Sequence, residues 1–417
     1  MQLEKYSIGI GDRFCHQGNA QLRALILAKQ AGVDVIPVWN KSNREHMIIG
    51  TLPVDTRREA DEAVRASKWN ASYRVDADHI GLTTVDKFIP HCDFFTLDVA
   101  DFIGKAATGE ELTAFDRAMK PFKGDLKIQG IDHPFKITDE SLNVIGKKFL
   151  YAVKEAARIY HYIKEHKIEN GFIVEVSMDE TDAPQTPAEM FFILAMIAQE
   201  GIPVQTIAPK FSGKFLKGID YVGDTAAFDT EFTEDLLVIT HAVAVFEMQK
   251  NLKLSVHSGS DKFLLYPLMH KAMKKYHAGL HLKTAGTTWL EEVIGLAEAD
   301  GDGLIIAKNI YAQAYSRIDE LCTPYATVVA IDRSKLPRPS VVSSWTSTQF
   351  ASALRHDQSN AEYNLHFRQL VHVAFRIAAE MGERYKNALK KFNESIGRNV
   401  TENILKRHIE PLFIGKK

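Results

Sequence analysis

Four short apolar runs in this chain end in charged or imidazole side chains: Arg74-Val75-Asp76-Ala77-Asp78-His79, Phe172-Ile173-Val174-Glu175, Leu254-Ser255-Val256-His257 and Leu280-His281-Leu282-Lys283. Each reads as a buried parallel strand that breaks the apolar rule on one parity. Strand side chains alternate faces, so Arg74, Asp76 and Asp78 oppose Val75 and Ala77, and Glu175 and Ser177 oppose Val174 and Val176. Likewise Ser255 and His257 oppose Leu254 and Val256, and His281 and Lys283 oppose Leu280 and Leu282. Buried charge is costly unless it is paired or bound to metal. Four such breaks at strand C-termini predict one site collected at one end of a barrel. His79 alone has the wrong parity, and it joins the site only if the strand has already ended there.

With 417 residues the chain can bury a large core. β-rich runs near 7–11, 34–39, 72–77, 94–99, 171–177, 203–208, 253–257 and 279–284 alternate with helical patterns near 17–31, 56–69, 186–200, 227–250, 264–275 and 288–299. Eight strands of this kind close a TIM-like (β/α)8 barrel, an α/β fold. The second strand has the weakest pattern, because Pro37 cannot donate to a ladder. Thr186-Pro187-Ala188-Glu189 opens one helix with a capping threonine, proline at the first position and glutamate in the first turn. Between about 100 and 170 the pattern is interrupted by a mixed-charge stretch and a long helix near 140–167, a lid or a packing insertion. Residues 1–330 therefore read as a barrel catalytic domain carrying that insertion. Leu336-Pro337-Arg338-Pro339-Ser340 reads as an exposed connector. Residues 331–417 read as a helical C-terminal extension, covering the barrel or forming the subunit interface of a homo-oligomer.

Lysine plus arginine nearly balances aspartate plus glutamate, for a formal charge of -2, which argues against a nucleic-acid partner. The N-terminus has no apolar signal core and no apolar run reaches membrane-spanning length, so no membrane association is expected. Cys15, Cys92 and Cys322 are odd in number and far apart, which favours a reduced compartment, the cytoplasm.

His79, His257 and His281 at strand ends, with carboxylates close by, suit one divalent ion such as Zn, Mn or Ni. A lone histidine is more often an ordinary core or surface residue. Of the 16 in this chain, His91, His161, His270, His277 and His372 are read that way. Asp78 and Glu175 can flank a small substrate as base and acid. Asp76 is equally eligible as base or ligand, and pairing with Arg74 or Lys283 is the structural alternative for any of these carboxylates. His257 precedes a small polar loop, Ser258-Gly259-Ser260-Asp261-Lys262, that lets a ligand approach the backbone. Lys283-Thr284-Ala285-Gly286-Thr287-Thr288 opens a helix with small residues, where backbone amides favour an anion. With Lys210 and Lys262 it suggests a carboxylate or phosphate on the substrate. Gly9-Ile10-Gly11-Asp12-Arg13 has a glycine pair, but Phe14 stands where a dinucleotide fingerprint needs its third glycine.

Several of these segments, together with others, carry a family resemblance: Gly9-Ile10-Gly11-Asp12-Arg13, Val75-Asp76-Ala77-Asp78-His79, Phe95-Thr96-Leu97-Asp98, His257-Ser258-Gly259-Ser260-Asp261-Lys262-Phe263 and His281-Leu282-Lys283-Thr284-Ala285-Gly286-Thr287. Phe367-Arg368-Gln369-Leu370-Val371-His372-Val373 and Asn399-Val400-Thr401-Glu402-Asn403 extend it into the tail. In these the chain resembles the bacterial tagaturonate/fructuronate epimerases, metal-dependent enzymes of hexuronate catabolism. Asn40 to Thr51 departs from that family's pattern, and family members are expected to carry a further N-terminal segment. The resemblance implies a sugar-acid substrate, a metal on His79, His257 and His281, Asp78 as proton acceptor and Glu175 as proton donor. It leaves Lys283, Asp76, Arg74, Lys210, Lys262 and Asp261 as candidate substrate contacts.

The two keto-hexuronates differ at a hydroxyl-bearing carbon two bonds from the ketone, so simple enolisation does not acidify its C–H. One route is metal-assisted retro-aldol cleavage, in which a carboxylate takes the hydroxyl proton and the aldehyde turns before re-addition. The other is direct proton exchange by Asp78 and Glu175. A metal-dependent aldolase or isomerase acting on a ketose phosphate, and a non-catalytic sugar-acid sensor, are the alternative functions.

Overall fold

The computed structural model describes residues 1–167, 171–284 and 286–416. Eight parallel strands form a closed barrel: β1 (Tyr6–Ile10), β2 (Ile36–Ser42), β3 (Arg74–Ile80), β4 (Phe94–Asp98), β7 (Ile173–Ser177), β8 (Thr206–Ala208), β9 (Lys253–His257) and β10 (Leu280–Lys283). Two short strands, β5 (Gly124–Leu126) and β6 (Phe135–Ile137), pair antiparallel in the long connection and stand outside the ring. Around the ring the order is β1, β10, β9, β8, β7, β4, β3, β2. This is the expected TIM-like barrel, with each strand within a few residues of its sequence pattern.

Pro37 is tolerated because it precedes the β2–β3 ladder. It aligns with Ile8 of β1, and pairing with β3 starts only at Val38, opposite Arg74. The apolar parity faces the helical shell: Val75, Ala77, Val174, Val176, Leu254, Val256, Leu280 and Leu282 are all buried in the main core. That burial is what fixes the register, since a one-residue slip would turn every polar side chain into the shell.

The long connection is a packing insertion on the outer wall. Its main helix, Asp139–His166, is capped by Thr138 and packs against β4 and the helix Pro187–Gln199. Phe122 stacks edge-on to Phe191 and Phe246. The tail crosses the mouth and then returns to the shell. Asn393–Glu402 packs on the helices Thr287–Glu298 and Gly18–Gln30, while Leu365–Val373 reaches the loops after β8 and β9 through Arg368 and Gln369. Among the described residues, no helix is long and apolar enough to cross a membrane.

Candidate active site at the barrel mouth

The inward parity of β3, β4, β7, β9 and β10 converges on the Lys283 ammonium. Its Nζ lies 2.8 Å from Asp76, 2.8 Å from Asp78 and 3.0 Å from Glu175. It also donates to Thr96 Oγ1 at 2.5 Å, and that hydroxyl lies 3.0 Å from Asp76 and 3.1 Å from Glu175. Strand β10 neighbours only β1 and β9, so these contacts run through the barrel interior. One cation among three buried carboxylates leaves a surplus of negative charge, which His257 and His79 offset. His257 Nε2 is 2.9 Å from Glu175 Oε1, and its Nδ1 is 3.1 Å from Asp179.

His79 reaches this group through a local break in β3. Its backbone is left-handed, with φ at 50°, and the β3–β4 register shifts between Ala77 and Ile80. A bulge of this kind re-aims one side chain without ending the strand. The imidazole thereby turns toward the barrel axis, with Nδ1 3.2 Å from Asp98 and Nε2 3.9 Å from Asp78. Its ring centre is 5.2 Å from that of His257.

Donor atoms of His79, Asp179 and His257 all lie within 4.8 Å of one another. Two imidazoles and a carboxylate are a donor set that divalent transition ions favour. His257 Nδ1 faces Asp179, whereas Nε2 is tied to Glu175, the outer carboxylate that orients a ligating histidine. Against their burial, Asp179 and Glu175 lift His257 to about 9, and Asp78 holds His79 well above the usual histidine range. The pocket thus demands positive charge at this point, which a divalent ion on the same two rings would satisfy.

The carboxylates differ among themselves. Burial, with Asp78 and Glu175 close by, raises Asp76 to about 7 despite Lys283. Asp78 is buried too, yet Lys283 and then His79 hold it at about 2. Glu175, expected as a proton donor, is fully buried, and Lys283 and His257 hold it well below the ordinary carboxylate range. In this arrangement it accepts hydrogen bonds.

Other sequence candidates sit elsewhere. His281 is one inward position deeper on β10, level with Ser7 and Ser255. Its Nδ1 is 2.9 Å from Ser7 Oγ, its ring packs 5.3 Å from that of Phe94, and burial pushes it down to about 3. Arg74, at the start of β3, donates to the carbonyls of Tyr73 and Gln2. Lys210 donates to the Thr181 carbonyl. Lys262 points at the carbonyls of Leu216 and Ile219. Asp261 is buried against Arg368, His356 and His408 of the tail. Ala285, within the small-residue loop, lies outside the described residues.

Asp179 and Thr96 are the additions the sequence reading missed. Asp179 is two residues past Ser177, so it continues the parity of Glu175 beyond the strand end. Thr96 shares the inward parity of β4, opposite Glu175.

A family model described as tagaturonate epimerase matches residues 1–412. A curated tagaturonate/fructuronate epimerase of Thermotoga maritima is 29% identical over 425 residues, spanning 97% of this chain and 80% of that protein. Among solved structures, a glycerol-complexed fructuronate-tagaturonate epimerase from Cohnella laeviribosi superposes with a TM-score of 0.81 at 21% identity, covering 98% of this chain and 81% of its own. Its native form gives 0.78 at 22% identity over 98% and 81%. The structural likeness is one of fold.

Proposed function

The chain belongs to the tagaturonate epimerase family, and from that premise we propose that its barrel mouth interconverts D-tagaturonate and D-fructuronate using a divalent ion on His79, Asp179 and His257. The family match selects an epimerase over a ketose-phosphate aldolase or a sugar-acid sensor. The observation that carries the metal is the convergence of three donors within 4.8 Å, beside the Asp78–Lys283 pair. When bound, the ion supplies Lewis acidity toward substrate oxygens. The cytoplasm suits the reaction, since Cys15, Cys92 and Cys322 are all free thiols.

Asp78 is the base. Of the three carboxylates around Lys283 it is the least buried, with 7% of its side chain exposed against 0% for Asp76 and Glu175. It takes the proton of the hydroxyl on the carbon to be inverted, the adjoining C–C bond breaks with its electron pair passing to the ketone half as an enediolate, and the aldehyde turns. When the bond re-forms on the other face, Asp78 returns the same proton, so one group closes the cycle. Lys283 keeps Asp78 ionised between turnovers, and Asp76 and Glu175 keep Lys283 in place. Direct proton exchange would instead need acid and base on opposite faces of one carbon. Asp78 and Glu175 share one ammonium, and this common cation supports the retro-aldol route, in which a single carboxylate both takes and returns the proton.

Proton NMR on D-tagaturonate in D2O, with Mn, Zn or Ni supplied in turn, tests this. D-fructuronate should form with its original hydrogen on the inverted carbon. No conversion with any of the ions rejects the function, and deuterium at that carbon rejects the retro-aldol route.

A further inference from the structure

A hexuronate carries a carboxylate that none of Lys283, Lys262, Arg74 and Lys210 is free to meet. Lys283 is consumed by three carboxylates, Lys262 by carbonyls, Arg74 by two carbonyls, and Lys210 by the Thr181 carbonyl. A different basic group stands at the mouth. It gathers after β1, β8 and β10 and on the helix Leu365–Val373. Arg13 is 7% exposed, with its guanidinium 4.2 Å above the Phe375 ring. Glu45 approaches its Nε at 3.3 Å, but Nη1 is buried with no partner among the described residues. An unpaired guanidinium donor is costly to bury, and a carboxylate is the acceptor its planar fork fits best.

Two further groups point to the same place. His372, read from sequence as ordinary, is 1% exposed and neither ring nitrogen has a hydrogen-bond partner among the described residues. Gly286, at φ 91°, opens the helix Thr287–Glu298. A Cβ there would overlap His372 Nε2 and lie 3.2 Å from Arg13 Nη2, so this turn must remain side-chain-free for both groups to face it. Lys217 comes from the loop after β8, on backbone held by Gln369, three residues before His372. Among the described residues its ammonium makes no ion pair, and it rests 5.6 Å from the Tyr325 ring. Burial, then Arg13 and Lys217, keep His372 neutral at ordinary pH, so it can donate from one nitrogen without adding charge.

We propose that Arg13, Lys217 and His372, around the N-terminus of the helix Thr287–Glu298, take the carboxylate of the keto-hexuronate. The helix end adds its own partial positive charge. The metal donors come from β3 and from the loop and strand end at β7 and β9, and β9 lies between β8 and β10 in the ring. A six-carbon acid holds its carboxylate and ketone toward opposite ends, which suits two separate anchors at one mouth. Selection for a uronate over the neutral sugar then resides in Arg13.

The inference rests on the epimerase reading, and calorimetric titration separates the two. D-Fructuronate is titrated into the full-length metal-loaded protein and into Arg13→Met, Arg13→Lys and Lys217→Met. A charge-assisted pair of this kind makes Arg13→Met bind about 10- to 100-fold more weakly, Lys217→Met less so, with Arg13→Lys between Arg13→Met and wild type. D-Fructose, which lacks the carboxylate, should show the same response in all four proteins. Melting temperature and metal content near wild-type values certify that a variant is folded, and if Arg13→Met unfolds, the half-buried Lys217 carries the test. Hexuronate affinity within about threefold of wild type in both methionine variants overturns the site, as does a wild type that does not bind D-fructuronate. Binding without turnover defeats the epimerase reading and leaves the carboxylate site standing.

Discussion

Two buried charge clusters lie within a few residues of each other along the chain and differ in how completely they are satisfied. At the mouth, Lys283 serves Asp76, Asp78 and Glu175 at once, while Glu175 Oε2 and Asn40 Oδ1 are buried with no hydrogen-bond partner among the described residues. Under the tail, Asp261 lies 2.7 Å from Arg368 and 3.1 Å from His356, with His408 at 3.4 Å. Neither carboxylate oxygen of Asp261 is orphaned, although His408 Nε2 forms no hydrogen bond among the described residues, and Lys262 beside it ends on backbone carbonyls. The second cluster is a lock that fastens the tail to the loop after β9. The first leaves carboxylate and amide acceptors unmet beside three metal-competent donors. Both follow strand ends and both are charged, so how fully the central carboxylates are satisfied, more than charge or burial, separates a site from a fastening.

The largest effect should come from breaking the mouth at its metal donors. The purified protein should hold about one divalent ion per chain, and a chelator should abolish turnover while the fold persists. Asp179→Ala and His257→Ala should each lose the ion and at least about 10³-fold in turnover, since Lewis-acid stabilisation is worth several kcal/mol. His281→Ala should retain the ion. Metal analysis decides: retention in Asp179→Ala with loss in His281→Ala would return the site to three histidines.

The lock should fail differently. Arg368→Met removes one partner from a fully buried pair and strands Asp261, at a cost of about 3–5 kcal/mol of stability. Urea unfolding reads that loss, and metal content per folded chain should be unchanged. Loss of metal at full stability would show that the two clusters are one.

These contrasts show what a sequence can and cannot disclose here. The barrel and its inward faces were legible because alternation is a local property of the chain: Val75, Ala77, Val174 and Val176 alternate with Asp76, Asp78 and Glu175 whatever surrounds them. His79 was not placed by that rule, since its left-handed backbone and the register shift depend on the neighbouring strand. Asp261 and Lys262 looked like site residues because their partners are remote. Arg368 lies 107 positions from Asp261, and nothing local marks the pair. Arg13 was hidden for the same reason: its unpartnered donors are visible only once Phe375, Gly286 and His372 surround it.

A smaller effect sharpens the division of labour inside the mouth. Asp78→Asn keeps shape and removes the base, so turnover should fall about 10²-fold with the ion still bound. If the ion is lost instead, Asp78 is a ligand and Asp76 becomes the preferred base. Steady-state rates paired with metal analysis distinguish the two.

The smallest effect tests the lock through proton linkage. Glu291, on the helix Thr287–Glu298, is buried beside the lock and accepts from Asn403 Nδ2 at 3.0 Å. Arg368, Arg355, Asp261 and Arg407 face it, and burial outweighs the arginines to raise it from 4.5 to about 7. Between those two values the folded chain holds a proton that the unfolded chain releases. The group's contribution is therefore complete below about pH 4.5 and is lost as pH rises through about 7, at up to about 1.4 kcal/mol per pH unit. Glu291→Gln is neutral at every pH and keeps an acceptor for Asn403. Its stability, from urea unfolding at intervals between pH 5 and 8, should fall less steeply with rising pH than that of the wild type. Because Glu291 belongs to the lock, the pH profile of turnover on folded protein should be the same in both. Parallel stability curves would mean that Glu291 is ionised in the fold, so that Arg368 and Arg355 balance two carboxylates and the lock is less fully satisfied than its geometry indicates.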